Sequence, residues 1–208
     1  MEQSSTKVIQ ELIMATNNAH KLEEVRQILG NDFTVKSLRD IGCTEEIPET
    51  ADSLEGNALQ KARYVHEHYG VDCFADDTGL EVDFLNGAPG VFTARFGAMN
   101  GYGESHDADA NIRCLLEKLK DADTRTARFR TVIALVQGNK EYLFEGIVKG
   151  TILPQKVGEG GFGYDPVFAP IEADGLAFAQ MTPEAKNVIS HRGRATQKLA
   201  EFLIQTEH

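Results

Sequence analysis

Two adjacent carboxylates, Asp76 and Asp77, stand in the run CFADDTGLEVDFLNGAPG. Residues 71–75 before them predict a short strand, and Thr78-Gly79 after them predicts a turn. Carboxylates at a strand end suit a magnesium ion or a general base. Adjacent side chains of an extended chain point to opposite faces, so we expect one carboxylate to face the chemistry and the other to anchor the loop. The alternative is that both are solvated turn residues, since Asp is common in turns.

A polar turn, Thr16-Asn17-Asn18, lies between a predicted strand and a predicted helix. Such a turn presents free backbone N–H groups and the positive end of the helix dipole, and both suit phosphate oxygens. Lys21 in the first helical turn adds a full charge. The alternative is an ordinary capped helix with a solvated lysine. Glu49, in a loop, gains meaning if it lies near Asp77, since two carboxylates could then share one magnesium ion.

A glycine-rich segment, GEGGFGYDP, spans residues 158–166. It contains the spacing G-x-G-x-x-G, but Pro166 and a strand-like Val167-Phe168 follow where a dinucleotide-binding fold needs a helix, which excludes NAD. The glycines allow close approach, and Phe162 or Tyr164 could stack on a nucleobase. The alternative is an ordinary surface loop.

Three donors cluster near the start of the last predicted helix: Lys186, His191 and Arg192. They could bind a phosphate or a keto oxygen. His191 taken alone is more often a structural histidine.

The composition indicates a globular protein. The chain has 208 residues, 41% of them hydrophobic, which suits a single α/β domain over 1–208 with 1–8 as a short N-terminal extension. Its net charge of −11 argues against a nucleic acid polymer as partner. Three separated cysteines predict reduced thiols, and neither a signal peptide nor a membrane-length apolar run is found. We therefore expect a cytoplasmic protein with no membrane partner.

Strands and helices alternate and a long hairpin follows, which predicts an α/β protein with a mixed sheet. Ser53 should cap the second helix and Gly70 should end it. A turn at Asn86-Gly87 should reverse the chain, and a short helix should begin at Thr182-Pro183. The expected helices are 19–29, 53–69, 107–118 and 190–205, and the expected strands are 9–16, 33–38, 71–75, 80–85, 126–136 and 141–149.

Four segments together resemble the inosine triphosphate pyrophosphatase family, the pyrophosphatases of non-standard purine nucleoside triphosphates. The segments are ATNNAHKLEEVRQIL (15–29), ADDTGLEVDFLNGAPGVFTARF (75–96), GGFGYDPVF (160–168) and KNVISHRGRA (186–195). They stand in the family's order, and the resemblance runs from about Ile13 to about Leu203.

The resemblance implies an elongated central mixed sheet flanked by helices, with two lobes around a substrate cleft, in a homodimer. It implies Mg²⁺-dependent cleavage between the α and β phosphates of ITP, dITP or XTP, which gives the monophosphate and pyrophosphate. The alternatives are a pyrophosphatase for other modified nucleotides, such as pyrimidines, and a non-catalytic nucleotide-binding protein.

The resemblance also implies roles for individual residues. The phosphate-binding turn is matched by Thr16, Asn17, Asn18 and Lys21, with Lys21 holding the leaving pyrophosphate. Glu49 and Asp77 match metal ligands, and Asp77 also matches the proton acceptor. Thr78 matches a substrate contact. The base and sugar pocket is matched by Phe162, Gly163, Tyr164 and Asp165, and the remaining nucleotide contacts by Lys186, His191 and Arg192.

Two positions depart from the family pattern. Asn17 stands where the family usually has glycine, and Asn tolerates left-handed backbone angles, so we expect the turn to survive. Gly56 stands where many members have an acid, and Glu55 one position earlier is turned about 100° away on a helix. A role for an acid in that helix is therefore not carried over to this chain.

Overall fold

The computed structural model describes residues 10–206, so the predicted extension 1–8 and the first residue of the expected strand 9–16 lie outside it. Within that range, no helix combines the length and apolar character needed to cross a membrane. The helices are α1 (Ala19–Leu29), α2 (Leu54–Tyr69), α3 (Phe96–Met99), α4 (Ala108–Lys118), α5 (Pro183–Ile189) and α6 (His191–Thr206). The strands are β1 (Gln10–Ile13), β2 (Phe33–Lys36), β3 (Cys73–Val82), β4 (Pro89–Gly90), β5 (Thr126–Gln137), β6 (Lys140–Ile152) and β7 (Phe168–Pro170).

The strands form two sheets that meet at one bridge. Five strands in the order β4-β3-β5-β6-β7 are antiparallel throughout, and β1 and β2 form a separate parallel pair. Met14 at the end of β1 bridges in parallel to Phe74 of β3. The expected mixed sheet flanked by helices is therefore confirmed, and its parallel part consists of the βαβ unit β1-α1-β2 and the bridge from Met14 to β3.

Helices cover both faces of the central strands. Ala75 packs with Ala58 and Ala62 of α2 in one core cluster, whereas Phe74 packs with Ala195 and Leu199 of α6 in another. Neighbouring residues of β3 thus serve opposite faces, as the pleat requires. A third cluster, which includes Leu80, Phe129 and Ile112, joins the far ends of β3 and β5 to α4.

The caps follow the sequence signals. Ser53 accepts the Gly56 N–H at the start of α2, and Gly70 ends the helix in the left-handed conformation at φ 64°. Thr182 caps α5 with Pro183 at its first position. These three expectations are confirmed, because each residue satisfies backbone groups that the helix leaves free or supplies an angle that it needs.

The expected short strand at 71–75 and the turn at Thr78-Gly79 are wrong. β3 continues through both aspartates to Val82, and each of its ten residues pairs with β5. The turn propensity of Asp, Thr and Gly does not decide the structure here. Buried hydrogen-bond partners satisfy the carboxylates of both aspartates, so these side chains need no contact with water. The reversal at Asn86-Gly87 does occur, with φ of 53° and 88°, and it returns the chain to β4.

Candidate active site

β3 leaves a gap along one of its edges. β5 pairs with its other edge along the whole strand, whereas on this edge the end of β1 bridges to Phe74 and β4 pairs at Leu80. No strand of the described range pairs with 75–79 there. The Phe74 carbonyl and the Leu80 N–H both form hydrogen bonds across this edge. Because alternate residues of a strand direct their backbone N–H and C=O groups to the same edge, those of Asp76 and Thr78 face the gap.

The predicted phosphate turn lies beside this gap. The Asn18 N–H donates to Thr16 Oγ1 over 3.1 Å, and Asn18 Oδ1 accepts the Lys21 N–H at 3.1 Å. The first turn of α1 carries no acid, so its positive end stays available to an anion. Asn17 is exposed and does not belong to the described residues with positive φ. The turn therefore needs no glycine there, and the left-handed tolerance expected of Asn17 plays no part.

Asp76 points toward α1 and α6 and holds two cations. Its fully buried carboxylate accepts from Lys21 Nζ at 3.2 Å and from Arg192 Nε at 3.1 Å. Burial alone raises the pKa of a carboxyl, but the charges of Lys21 and Arg192 hold the pKa of Asp76 far below its usual range. Asp76 is therefore a fixed anion that positions cations at the gap.

Glu24 of α1 extends this arrangement. Its Oε1 accepts from Lys186 Nζ at 2.7 Å, and its Oε2 accepts from Arg192 Nη1 at 2.5 Å. Lys186 also donates to Asp165 Oδ2 over 2.7 Å. Six charges of alternating sign result, which we call the charge chain: Asp165, Lys186, Glu24, Arg192, Asp76 and Lys21. It links the glycine-rich loop to the phosphate turn.

Asp77 points to the opposite face, toward α2. Its Oδ2 accepts from Asn57 Nδ2 at 3.1 Å, and its Oδ1 lies 3.8 Å from Lys61 Nζ. Lys61 also makes a short ion pair with Glu49. Burial raises the pKa of Asp77 even though Lys61 and Lys21 oppose the shift. For Glu49, burial also acts to raise the pKa, but the charge of Lys61 outweighs it and lowers the pKa.

The predicted metal ligands are brought together by that lysine. Glu49 and Asp77 contact one ammonium group, and within the described range no cluster of three or more His, Cys, Asp or Glu side chains could hold a metal. Mg²⁺ in nucleotide sites uses one or two carboxylates and completes its shell with water and substrate phosphates. Two carboxylates beside a phosphate turn fit an ion of that kind.

Phe162 lies in the glycine-rich loop, and its ring packs against charged and aromatic side chains. Its ring centroid lies 4.8 Å from Lys186 Nζ and 5.7 Å from Arg192 Cζ, and the ring stacks on His20 at 5.2 Å. Its N–H donates to Asp165 Oδ2 over 2.8 Å. Gly161 makes this turn possible, because a Cβ there would meet Asp165 Oδ2 at 2.1 Å.

Two predicted contact residues, His191 and Tyr164, lie deeper than Phe162, and Thr78 is half-buried. His191 is 4% exposed and stacks on Phe129, and its Nδ1 has no hydrogen-bond partner in the described structure. Burial, followed by the charge of Arg192, lowers the pKa of His191 well below its usual value. Tyr164 is also buried, and its hydroxyl donates to the Thr93 carbonyl over 2.8 Å. Thr78 Oγ1 accepts from Arg192 Nη2 at 3.1 Å.

The departure at Gly56 has a steric cause. A Cβ at this position would lie 2.6 Å from Ala51 Cβ, so a larger residue requires the preceding loop to shift. Glu55 does not replace the missing acid, since it pairs with Arg130.

The sequence also matches a family model. The model described as the Ham1 family matches residues 12–202. The chain belongs to the Ham1 family.

Curated relatives and a solved structure agree with Ham1 membership. A "dITP/XTP pyrophosphatase" of Porphyromonas gingivalis is 53% identical over 94% of this chain and 98% of its own length. A protein of the same name from Flavobacterium johnsoniae is 50% identical over 94% of this chain and 99% of its own. The structure of the Staphylococcus aureus Ham1 protein superposes with a TM-score of 0.82 at 35% identity, and the match covers 95% of this chain and all of that one.

The Ham1 fold thus brings predicted residues from distant parts of the sequence to one gap, among them Lys21, Asp77 and Arg192, while their individual roles stay predictions. Sequence analysis missed Glu24, Asn57 and Lys61. Glu24 lies one turn after Lys21 on α1, and Asn57 and Lys61 lie one turn apart on the buried face of α2. Polar residues at helical spacing within an otherwise apolar face are the signal that could have found the latter pair.

Proposed function

We propose that this chain hydrolyses the non-standard purine nucleoside triphosphates dITP, XTP and ITP to the monophosphate and pyrophosphate. The observation that carries the proposal is the gap along the edge of β3. Cations lie on the face of β3 to which Asp76 points, and carboxylates lie on the face to which Asp77 points. Cleavage of a phosphoanhydride needs both, because phosphate charge must be neutralised and a water must be aimed. Three curated relatives that are at least 50% identical carry the name dITP/XTP pyrophosphatase.

We assign the phosphate end of the site to the turn at 16–21. The free N–H groups at the start of α1 bind phosphate oxygens, and Lys21 holds the leaving pyrophosphate. Burial lowers the pKa of Lys21 although Asp76 opposes the shift, so its ammonium gains from an additional anionic partner. Thr16, Asn17 and Asn18 shape the turn and keep its donors in place.

We assign Asp77 as the proton acceptor. Asn57 fixes its carboxylate at the gap, and burial raises its pKa, which improves it as a base at neutral pH. Glu49 and Asp77 would also hold Mg²⁺, which would neutralise phosphate charge at this site. The carboxylate of Asp77 orients the attacking water and takes its proton.

We assign base recognition to Lys186 and Arg192, with Phe162 as the stacking surface. Arg192 uses three of its five N–H groups on Asp76, Glu24 and Thr78, which leaves two to donate to a ligand. A 6-oxo purine accepts from such donors, whereas the 6-amino group of adenine leaves them unpaired at a cost of about 1–3 kcal/mol each. The buried residues His191, Tyr164 and Asp165, with Gly163, complete the wall of this pocket.

Pyrophosphate release from a panel of nucleoside triphosphates, with and without Mg²⁺, tests the function. We expect turnover of dITP, XTP and ITP in Mg²⁺, with ATP slowest and little turnover after chelation. Preferential turnover of a modified pyrimidine would favour the alternative substrate class. Tight binding of dITP with no product would indicate a non-catalytic binding protein.

We further propose a cytoplasmic homodimer. The dimer rests on the family resemblance, and the compartment rests on Cys43, Cys73 and Cys114, which are all unpaired and buried. Light scattering during size exclusion tests the assembly, and a mass near the single-chain 22.9 kDa contradicts it.

A further inference from the structure

Lys61 occupies an unusual position for a lysine. It lies on the inner face of α2 and is 7% exposed, one turn from Asn57 and one turn from Val65. Its ammonium contacts Glu49 and lies 3.8 Å from Asp77 Oδ1. A buried lysine is stable only with anionic partners, and these two carboxylates are its partners within the described range.

The carboxylates depend on Lys61 in turn. Asp77 is 9% exposed, and its remaining polar contact is the neutral amide of Asn57. Two carboxylates that lie within reach of one ammonium repel each other when no cation lies between them. Lys61 therefore screens the repulsion between the two carboxylates in the free protein.

We infer that Lys61 is a built-in counter-cation that competes with a free divalent metal for Glu49 and Asp77. Its ammonium leaves these carboxylates only when a triphosphate binds. The inference rests on the proposed function, because it takes these carboxylates as metal ligands. A metal ion that binds both oxygens must lie in the region that the ammonium occupies, and two cations there repel each other. The triphosphate supplies the anion that Lys61 needs once it leaves the carboxylates.

Two consequences follow for binding. Metal and nucleotide should bind cooperatively, because each favours the state in which Lys61 has left the carboxylates, and this coupling is reciprocal. Metal without nucleotide should bind weakly. Removal of the ammonium should therefore strengthen the binding of metal alone, although it removes a cation that the triphosphate uses.

Mn²⁺ binding measured by electron paramagnetic resonance in the absence of nucleotide tests the inference. We expect Lys61→Met to bind Mn²⁺ about tenfold more tightly than the wild type. Arg63→Met is the matched control, because Arg63 lies on the same helix and pairs with Glu141 at the surface. It removes the same charge, and because its ion pair is exposed to solvent, it should change the Mn²⁺ affinity by less than about twofold. An Asp77→Asn change added to Lys61→Met should abolish the gain.

Thermal unfolding provides a second test of the inference, which can be used even if Lys61→Met is less stable than the wild type. We expect Mn²⁺ to raise the Tm of Lys61→Met more than that of the wild type, and Lys61→Arg, which keeps the charge, to behave like the wild type. Equal or weaker Mn²⁺ affinity of Lys61→Met, or an equal Tm shift, overturns the inference. These readouts require no turnover, so a wild type that releases no pyrophosphate refutes the proposed function and leaves the Mn²⁺ result to be judged on its own.

Discussion

Asp76 and Asp77 are neighbours in one strand, yet their surroundings give them opposite properties. The pKa of Asp76 is held low by two cations, whereas the pKa of Asp77 is raised by burial. Divergent environments of this kind separate an electrostatic anchor from a proton acceptor. The two side chains point to opposite faces as expected, although Asp76 contacts two cations rather than anchoring a loop.

At Asp77, we expect Asp77→Asn to lower kcat by about 10²–10⁴-fold. The amide keeps the shape and the contact with Asn57 but can neither take a proton nor neutralise a metal ion. Steady-state pyrophosphate release measures the effect, and a thermal melt checks that the fold is retained. Near-normal turnover in saturating Mg²⁺ would remove Asp77 from the chemical step.

At the base pocket, Arg192→Lys tests selectivity. Arg192→Ala is unsuitable because it leaves Glu24 and Asp76 buried without their shared cation. Lysine keeps the charge but loses the planar fork, so we expect the dITP-over-dATP ratio of kcat/KM to fall by about tenfold. Phe162→Ala should instead lower both values together, since stacking does not distinguish the two bases. An unchanged ratio in Arg192→Lys means that selectivity lies elsewhere.

At the scale of elements, Glu24 docks α1 against α5 and α6. Its two oxygens bind Lys186 and Arg192, which come from different helices. We expect Glu24→Gln to lower kcat/KM for dITP by about tenfold and to reduce selectivity over dATP, because the two cations that we propose for base recognition lose their common anchor. Glu23→Gln, an exposed change on the same helix, should have little effect. Similar losses in both variants would point to a general effect on α1.

The local signals of the sequence predict most of these elements. The bounds of α1 match residue for residue, and the caps at Ser53, Gly70 and Thr182 are where their chemistry requires them. The predicted end of β3 was wrong because the turn propensity of Asp, Thr and Gly is a local property. The pairing with β5 that overrides it involves residues far away in the sequence.

The partners of the site could not be read from the sequence in the same way. Glu24 and Lys186 are 162 positions apart, and Lys61 and Glu49 belong to a helix and a loop without a motif of their own. A pattern along one element indicates that a polar residue faces inward, but the opposing charge comes from tertiary packing. The charge chain is therefore a property of the fold.

For the whole molecule, an acidic protein must receive a polyanionic substrate. The net charge of −11 repels polyanions over most of the surface. The charge chain contributes three acids and three bases and so carries no net charge, and Lys61 on the other face of β3 offsets one of its two carboxylates, so the site itself carries little of the chain's negative charge. This distribution favours a small phosphate-bearing molecule over a nucleic acid polymer, because a polymer would also contact the acidic surface outside the gap.

The same buried charges make stability depend on pH. The pKa of Asp76 is lower in the folded state than the value of about 3.9 in an unfolded chain, so the unfolded state binds its proton first as the pH falls. The stabilisation by Asp76 is therefore complete above about pH 4 and is lost at lower pH. Asp77, whose pKa is raised, acts in the opposite direction, so the contribution of Asp76 must be isolated by substitution.

Urea unfolding at several pH values between about 3 and 7 makes that comparison for the wild type and Asp76→Asn. We expect Asp76→Asn to be less stable at pH 7, because Lys21 and Arg192 lose an ionised partner. We also expect its free energy of unfolding to fall less steeply below about pH 4, because the group that takes up the proton on unfolding is gone. Asp121→Asn, an exposed change, controls for the loss of a carboxylate. Parallel curves for the wild type and Asp76→Asn would show that Asp76 does not contribute to the pH dependence of the stability.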